Sequence, residues 1–92
     1  MQLNDAQVAD EIHDINTETA WPLWPVLPMK HLYRKPGADN KLGILHTGNK
    51  SRVYLIHLYE LESGPLKEQL EGVPFEDFES TEAMVREGWV GD

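Results

Sequence analysis

The run Arg52-Val-Tyr-Leu-Ile-His-Leu-Tyr59 limits the folds open to this chain more than any other stretch. It is rich in β-branched and aromatic residues and holds no Gly or Pro, the composition of a strand. Its apolar character is nearly continuous, so both faces need cover and the strand belongs at the centre or a covered edge of a sheet. Two turn signals precede it. Thr47-Gly-Asn-Lys-Ser51 offers Gly and Asn for positive φ, and Pro36-Gly-Ala-Asp-Asn40 is a longer turn. Between them Lys41–His46 reads as a strand, and Met29–Lys35 as another. Residues 29–59 therefore read as a three-stranded antiparallel meander. The rest is its cover: an N-terminal helix, a Trp/Pro-rich strap and a short C-terminal helix, an α+β fold in one small domain over residues 1–92.

Centring the turns on Asn49 and Ala38 sets a register. His46 falls opposite Arg52, Ile44 opposite Tyr54, Leu42 opposite Ile56 and Leu32 opposite Ile44. One face then carries Leu32, Leu42, Ile44, Tyr54, Ile56 and Leu58 and is the expected core. The other holds Tyr33, Lys35, Lys41, His57 and Tyr59 among Leu45, Val53 and Leu55, a mixed aromatic and basic surface that is a candidate interaction face.

The covering elements announce themselves by their caps. Residues 4–15 read as a helix, with Asn4 as N-cap, Gln7 completing a capping box, and Val8, Ile12 and Ile15 forming a narrow apolar stripe. Trp21-Pro-Leu-Trp-Pro-Val-Leu-Pro-Met29 repeats proline every third residue, the period of polyproline II. All three edges of such a rod are apolar, so it reads as an extended strap with Trp21 and Trp24 packed inward, or as a docking surface in which they are the anchors. Pro65–Glu71 reads as one or two helical turns ending at Gly72, and Val73–Phe78 as extended chain. Ser80 caps a last helix through Glu87, Gly88 ends it, and Trp89 packs back into the core. Val90–Asp92 is a fragment of edge strand.

Charge is distributed unevenly. The net charge of −8 divides into −5 over residues 1–29, +5 over 30–52 and −8 over 53–92. A basic hairpin lies between acidic flanks, which either fold back to neutralise it or form a field that repels nucleic acid and attracts a basic protein. Glu76, Asp77, Glu79 and Glu82 are the densest acidic group and a candidate interaction site. There is no cysteine, so no disulfide or thiol chemistry is expected. No apolar run approaches the roughly 20 residues of a membrane span, and the N-terminus lacks a signal-peptide pattern. The expected location is the cytoplasm.

No motif carries chemistry. The four histidines do not share a ligand-like spacing. His31 and His57 share a face but stand roughly 13 Å apart along the strands, at about 3.3 Å per residue. No phosphate loop or nucleophile with an evident base is present. The expectation is a protein that is not an enzyme and uses no cofactor or metal.

The layout Trp21-Pro-x-Trp-Pro-x-Leu-Pro-x-Lys30, Leu42-Gly-Ile-Leu, Val53-Tyr-Leu and Ser80-x-Glu-x-Met-Val-x-x-Gly-Trp-Val-x-Asp92 resembles small uncharacterised proteins encoded by bacteriophages and prophages. The matching positions are Trp, Pro, Gly and aliphatics, which implies a shared fold and not a shared active site. The resemblance implies an inhibitor or accessory factor that binds and occludes a host macromolecule, a protein partner, in the host cytoplasm. Two other readings stand. One is a single-stranded nucleic-acid binder through hairpin 30–52, which the net charge disfavours. The other is a homo-oligomeric module that uses the second sheet face or the strap as subunit interface.

Overall fold

The first helix begins where its capping chemistry dictates. In the computed structural model α1 spans Asp5–Asn16. Asn4 Oδ1 accepts from the Gln7 amide at 2.8 Å, and Gln7 Oε1 accepts from the Asn4 amide at 2.9 Å. Val8 and Ile15 are buried, and Ile12 and Leu3 pack beside them. The last helix, α3 (Thr81–Arg86), is capped by Ser80, whose hydroxyl accepts from the Ala83 amide. Between them α2 (Leu66–Leu70) is a little over one turn. The structure describes residues 3–35, 37–38, 40–62 and 64–92. Pro36 and Asp39 of the expected longer turn, and Ser63 of the loop before α2, lie outside them, as do Met1 and Gln2.

The fold is α+β, but the sheet is wider than a meander. Strands β1 (Val26–His31), β2 (Leu42–His46), β3 (Asn49–Tyr54), β4 (Phe75–Asp77) and β5 (Trp89–Gly91) form one antiparallel sheet in the order β4-β3-β2-β1-β5. The central three follow one another in the chain, as expected. The outer two are only three residues long: β5 is the edge-strand fragment expected at Val90–Asp92, one residue earlier, and β4 lies in the stretch Val73–Phe78 that reads as extended chain.

The strand limits differ from those expected. The first starts at Val26, not Met29, because the second half of the proline strap joins the sheet. No polyproline rod forms: the chain turns through Pro22–Pro25, where Val26 N–H donates to the Leu23 carbonyl, and the Trp24–Pro25 peptide is cis. Pro28 is tolerated in β1 because β5 pairs only with Met29–His31. Its carbonyl accepts from the Asp92 amide at the end of that ladder, so the N–H it lacks removes a single terminal bond. The third strand ends at Tyr54 rather than Tyr59. Beyond it Leu55–His57 leave the ladder, and Leu58–Glu60 make a 3-10 turn. This carries Ile56, Leu58 and Leu61 over one face of the sheet.

Ile44 pairs with Tyr54 as expected. The turn itself is tighter, at Thr47–Gly48, so His46 pairs with Asn49 instead of Arg52, and a bulge between Leu45 and His46 restores the register. The first hairpin slides further: Ile44 faces Pro28, not Leu32. A shift of four residues is even, so it leaves each side chain on its expected face.

The principal core lies on the face opposite to the one expected. Leu27, Met29, Leu45, Val53 and Trp89 are buried there under Val8 and Ile15 of α1, Met84 and Val85 of α3, and Trp21. The helices choose that face, which pairwise alternation within the hairpins cannot show. The expected core face carries a smaller cluster, Val26, Ile44 and Leu70, with Tyr54, Ile56, Leu58, Leu61 and Leu66 around it.

Trp89 shows how far the sheet curls. It stands on one edge strand, yet its Nε1 donates to Glu76 Oε1 on the other edge strand at 3.1 Å. The same carboxylate takes both terminal nitrogens of Arg34, at 2.9 and 3.0 Å. Gly88 sets up the indole from φ +116°. A Cβ there would lie 2.8 Å from the His31 ring. The free edge of β5 is covered by α1, where Glu11 accepts from the Gly91 amide at 3.3 Å.

Candidate functional site

The basic hairpin meets the acidic flanks inside the molecule. Lys30 pairs with Asp92, Arg34 with Glu76, Lys50 with Glu18 and Arg52 with Asp77. Lys41 is engaged otherwise: its Nζ donates to the His31 and Arg34 carbonyls at 2.8 and 3.0 Å. Of the six hairpin cations, only Lys35 has neither an ion pair nor such a role among the described residues. The acidic group is divided in the same way. Glu76 and Asp77 hold hairpin arginines, and Glu82 pairs with Arg86 four residues on. Glu79 alone of the four has no ion pair among the described residues. Burial pushes the Glu76 carboxyl up, but the bonds from Arg34 and Trp89 outweigh it and hold it below the usual carboxylate range. These carboxylates are chiefly structural, not one acidic surface.

The expected aromatic and basic face does not assemble. Tyr33 lies beyond β1, with its hydroxyl accepting from the Leu3 amide at 3.1 Å and its ring edge-on to His31. His57 and Tyr59 lie beyond β3 and stack on each other with centroids 3.9 Å apart. His31 is a core residue: burial, then the Arg34 charge, lowers its pKa below the ordinary value, so the ring is neutral against Trp89. Among the described residues no group of three or more His, Asp or Glu side chains is placed to hold a metal ion. No described helix is long and apolar enough to cross a membrane.

The two strap tryptophans part company. Trp21 is buried, and its Nε1 donates to the Ile15 carbonyl at 3.1 Å. Trp24 is 59% exposed at the tip of the turn beside exposed Leu23. Its Nε1 is nonetheless held by Glu18 at 3.0 Å. Glu18 also accepts from Thr47 Oγ1 and binds Lys50 Nζ at 2.6 Å, so one carboxylate ties the strap to the β2–β3 hairpin.

The Lys50, Thr47 and Trp24 bonds, in that order, bring the Glu18 carboxyl from 4.5 down to about 2. A carboxyl depressed on folding stabilises the fold fully above its unfolded value of 4.5, and that stability is lost as pH falls through about 2. Urea midpoints of Glu18→Gln should therefore lie below wild type at pH 6 and converge on it as the pH falls through that window. A gap independent of pH would show that Glu18 acts by packing and not by charge.

A concavity opens on the side of the sheet bearing the smaller cluster. It is a cleft of about 790 Å³ between β2, β3 and β4 and the chain from α2 to Val73. Tyr54, Leu70, Val73 and Phe75 make its apolar walls, and His46, Arg52, Lys67 and Glu71 its polar ones. Arg52 is fixed by two bonds to Asp77, at 2.6 and 2.9 Å, and lies 3.9 Å over the Phe75 ring. Of the residues singled out from the sequence, only part of hairpin 30–52 lines this cleft, with His46 and Arg52; none of the acidic, aromatic-face or strap candidates does. Leu66 and Leu70 on one helical face signalled that α2 packs on something, but nothing local says on which strand.

These features define a small α+β protein with a curled antiparallel sheet, an exposed tryptophan tip and an amphipathic cleft. No protein family, curated protein or solved structure matches the chain.

Proposed function

We propose that the protein is a non-catalytic binding protein that docks a protein partner on the Leu23–Trp24 tip and occludes the partner's site. The observation that carries this reading is Trp24: its ring is mostly in solvent while its nitrogen is anchored by Glu18. A large aromatic already held in place loses little rotamer freedom on binding, the property of an interface anchor. The exposed carboxylates Asp10 and Asp14 on α1 make no ion pair among the described residues, which favours a partner with a basic rim. The resemblance to small phage-encoded proteins points to a protein of a bacterial host as that partner. The internal pairing of the hairpin cations weighs against nucleic acid.

The test is a tagged pull-down from bacterial lysate, with and without nuclease, comparing wild type with Trp24→Ala. A nuclease-resistant band is expected, with capture weakened about 30-fold by Trp24→Ala, the scale of a hot-spot residue worth about 2 kcal/mol. Equal capture by both proteins, or a signal that disappears with nuclease, would overturn the reading.

A further inference from the structure

We infer that the cleft between the sheet and α2 is a second binding site, independent of the Trp24 tip, for a small monoanion with a flat apolar body, such as an aromatic carboxylate or sulfonate. Its volume of about 790 Å³ lies within the roughly 300–1,000 Å³ of small-molecule pockets. Its apolar wall is aromatic and already arranged. Tyr54 and Phe75 meet edge to face with centroids 6.1 Å apart, and Phe75 is left 47% exposed. A flat ring is the shape that such a wall accepts.

The charge of the lining decides the head group. Arg52, Lys67 and Glu71 are the ionised side chains of the lining, and Asp77 just outside it already takes the Arg52 charge, so Lys67 is the cation open to a ligand. The Arg52 fork is already oriented by Asp77, but Lys67 has no carboxylate partner within ion-pair distance among the described residues. His46 adds a ring donor. Its Nδ1 accepts from the Gly48 amide at 3.0 Å, which leaves the ring proton on Nε2. Lys67 and a histidine N–H thus line the same cleft as Phe75, polar partners for an anionic group beside a wall for its ring.

The test uses 1-anilinonaphthalene-8-sulfonate with the folded chain of 92 residues. Saturable one-to-one fluorescence enhancement is expected, with the thermal midpoint rising as the probe is added, because a ligand that binds only the native state stabilises it. Lys67→Glu changes an exposed side chain and should weaken binding roughly tenfold with the unliganded midpoint unchanged. Val73→Trp should fill the cleft and abolish binding. The uncharged analogue N-phenyl-1-naphthylamine should bind more weakly and ignore Lys67→Glu. No saturable binding, or a midpoint that falls with added probe, would overturn the site. A dissociation constant that Lys67→Glu leaves unchanged would overturn the anionic head group.

Discussion

Trp89→Ala should lower the unfolding free energy by about 3–5 kcal/mol, the range for truncating a buried tryptophan. The residue has no exposed surface and sits at the convergence of the principal core. Its ring packs edge-on to His31 at 5.0 Å and carries Arg34 over it at 5.3 Å. Removing it also takes the indole N–H from Glu76, a contact by which one side chain joins the two edge strands. Small domains hold only about 5–15 kcal/mol in all, so the variant should be partly unfolded at 37 °C. Urea titration followed by circular dichroism measures this. Trp89→Phe separates the two contributions. It keeps most of the apolar contact and loses the bond to Glu76, so its cost should be about 1–2 kcal/mol. A loss below about 1 kcal/mol for Trp89→Ala would mean that the core closes over the missing ring.

Gly43→Ala should cost about 3 kcal/mol, the upper end for an overpacked core. Gly43 lies on β2 under the tip of the Trp89 ring. A Cβ there would stand 2.5 Å from Val53 Cγ1, 2.7 Å from the Tyr54 carbonyl oxygen and 3.5 Å from Trp89 Cη2. The valine can turn away, but the carbonyl belongs to the paired strand and cannot move without opening the β2–β3 ladder. Gly43→Ala with Val53→Ala should therefore recover only part of the loss, after allowing for the cost of Val53→Ala alone. Full recovery in that double-mutant cycle would place the strain entirely in the valine.

Much of this fold is legible in the sequence. The Asn4–Gln7 capping box, the Ser80 cap and the burial of Trp89 follow from residues a few positions apart, and the Ile44–Tyr54 pair is as expected because the bulge at Leu45–His46 offsets the tighter turn. The candidate surfaces were far less legible. Trp24 and Trp21 stand three residues apart in one repeated pattern, yet one is a solvent-facing tip and the other is core. What separates them is the turn through Pro22–Pro25, made when Val26 enters a strand whose pairing partners lie elsewhere in the chain. The cleft was invisible for the same reason. Its walls join β2 and β3 to residues 67–75, and no local rule says that α2 lies over Tyr54.

The sequence by itself determined the α+β class, the three central strands, the helix ends and the segregation of charge into a basic hairpin between acidic flanks. Those features depend on caps, turns and alternation, whose interactions close within about four residues. Tertiary structure alone decided which neighbours the two outer strands pair with, the face that became the principal core, and the pairing of hairpin cations with flank carboxylates. The contacts responsible join Arg34 to Glu76 across 42 positions, Gly91 to Glu11 across 80 and Arg86 to Asp5 across 81. A contact between residues so far apart has no signature in any short window of sequence. It forms only when strands and helices with buried faces are brought together and must satisfy one another's charges and backbone groups.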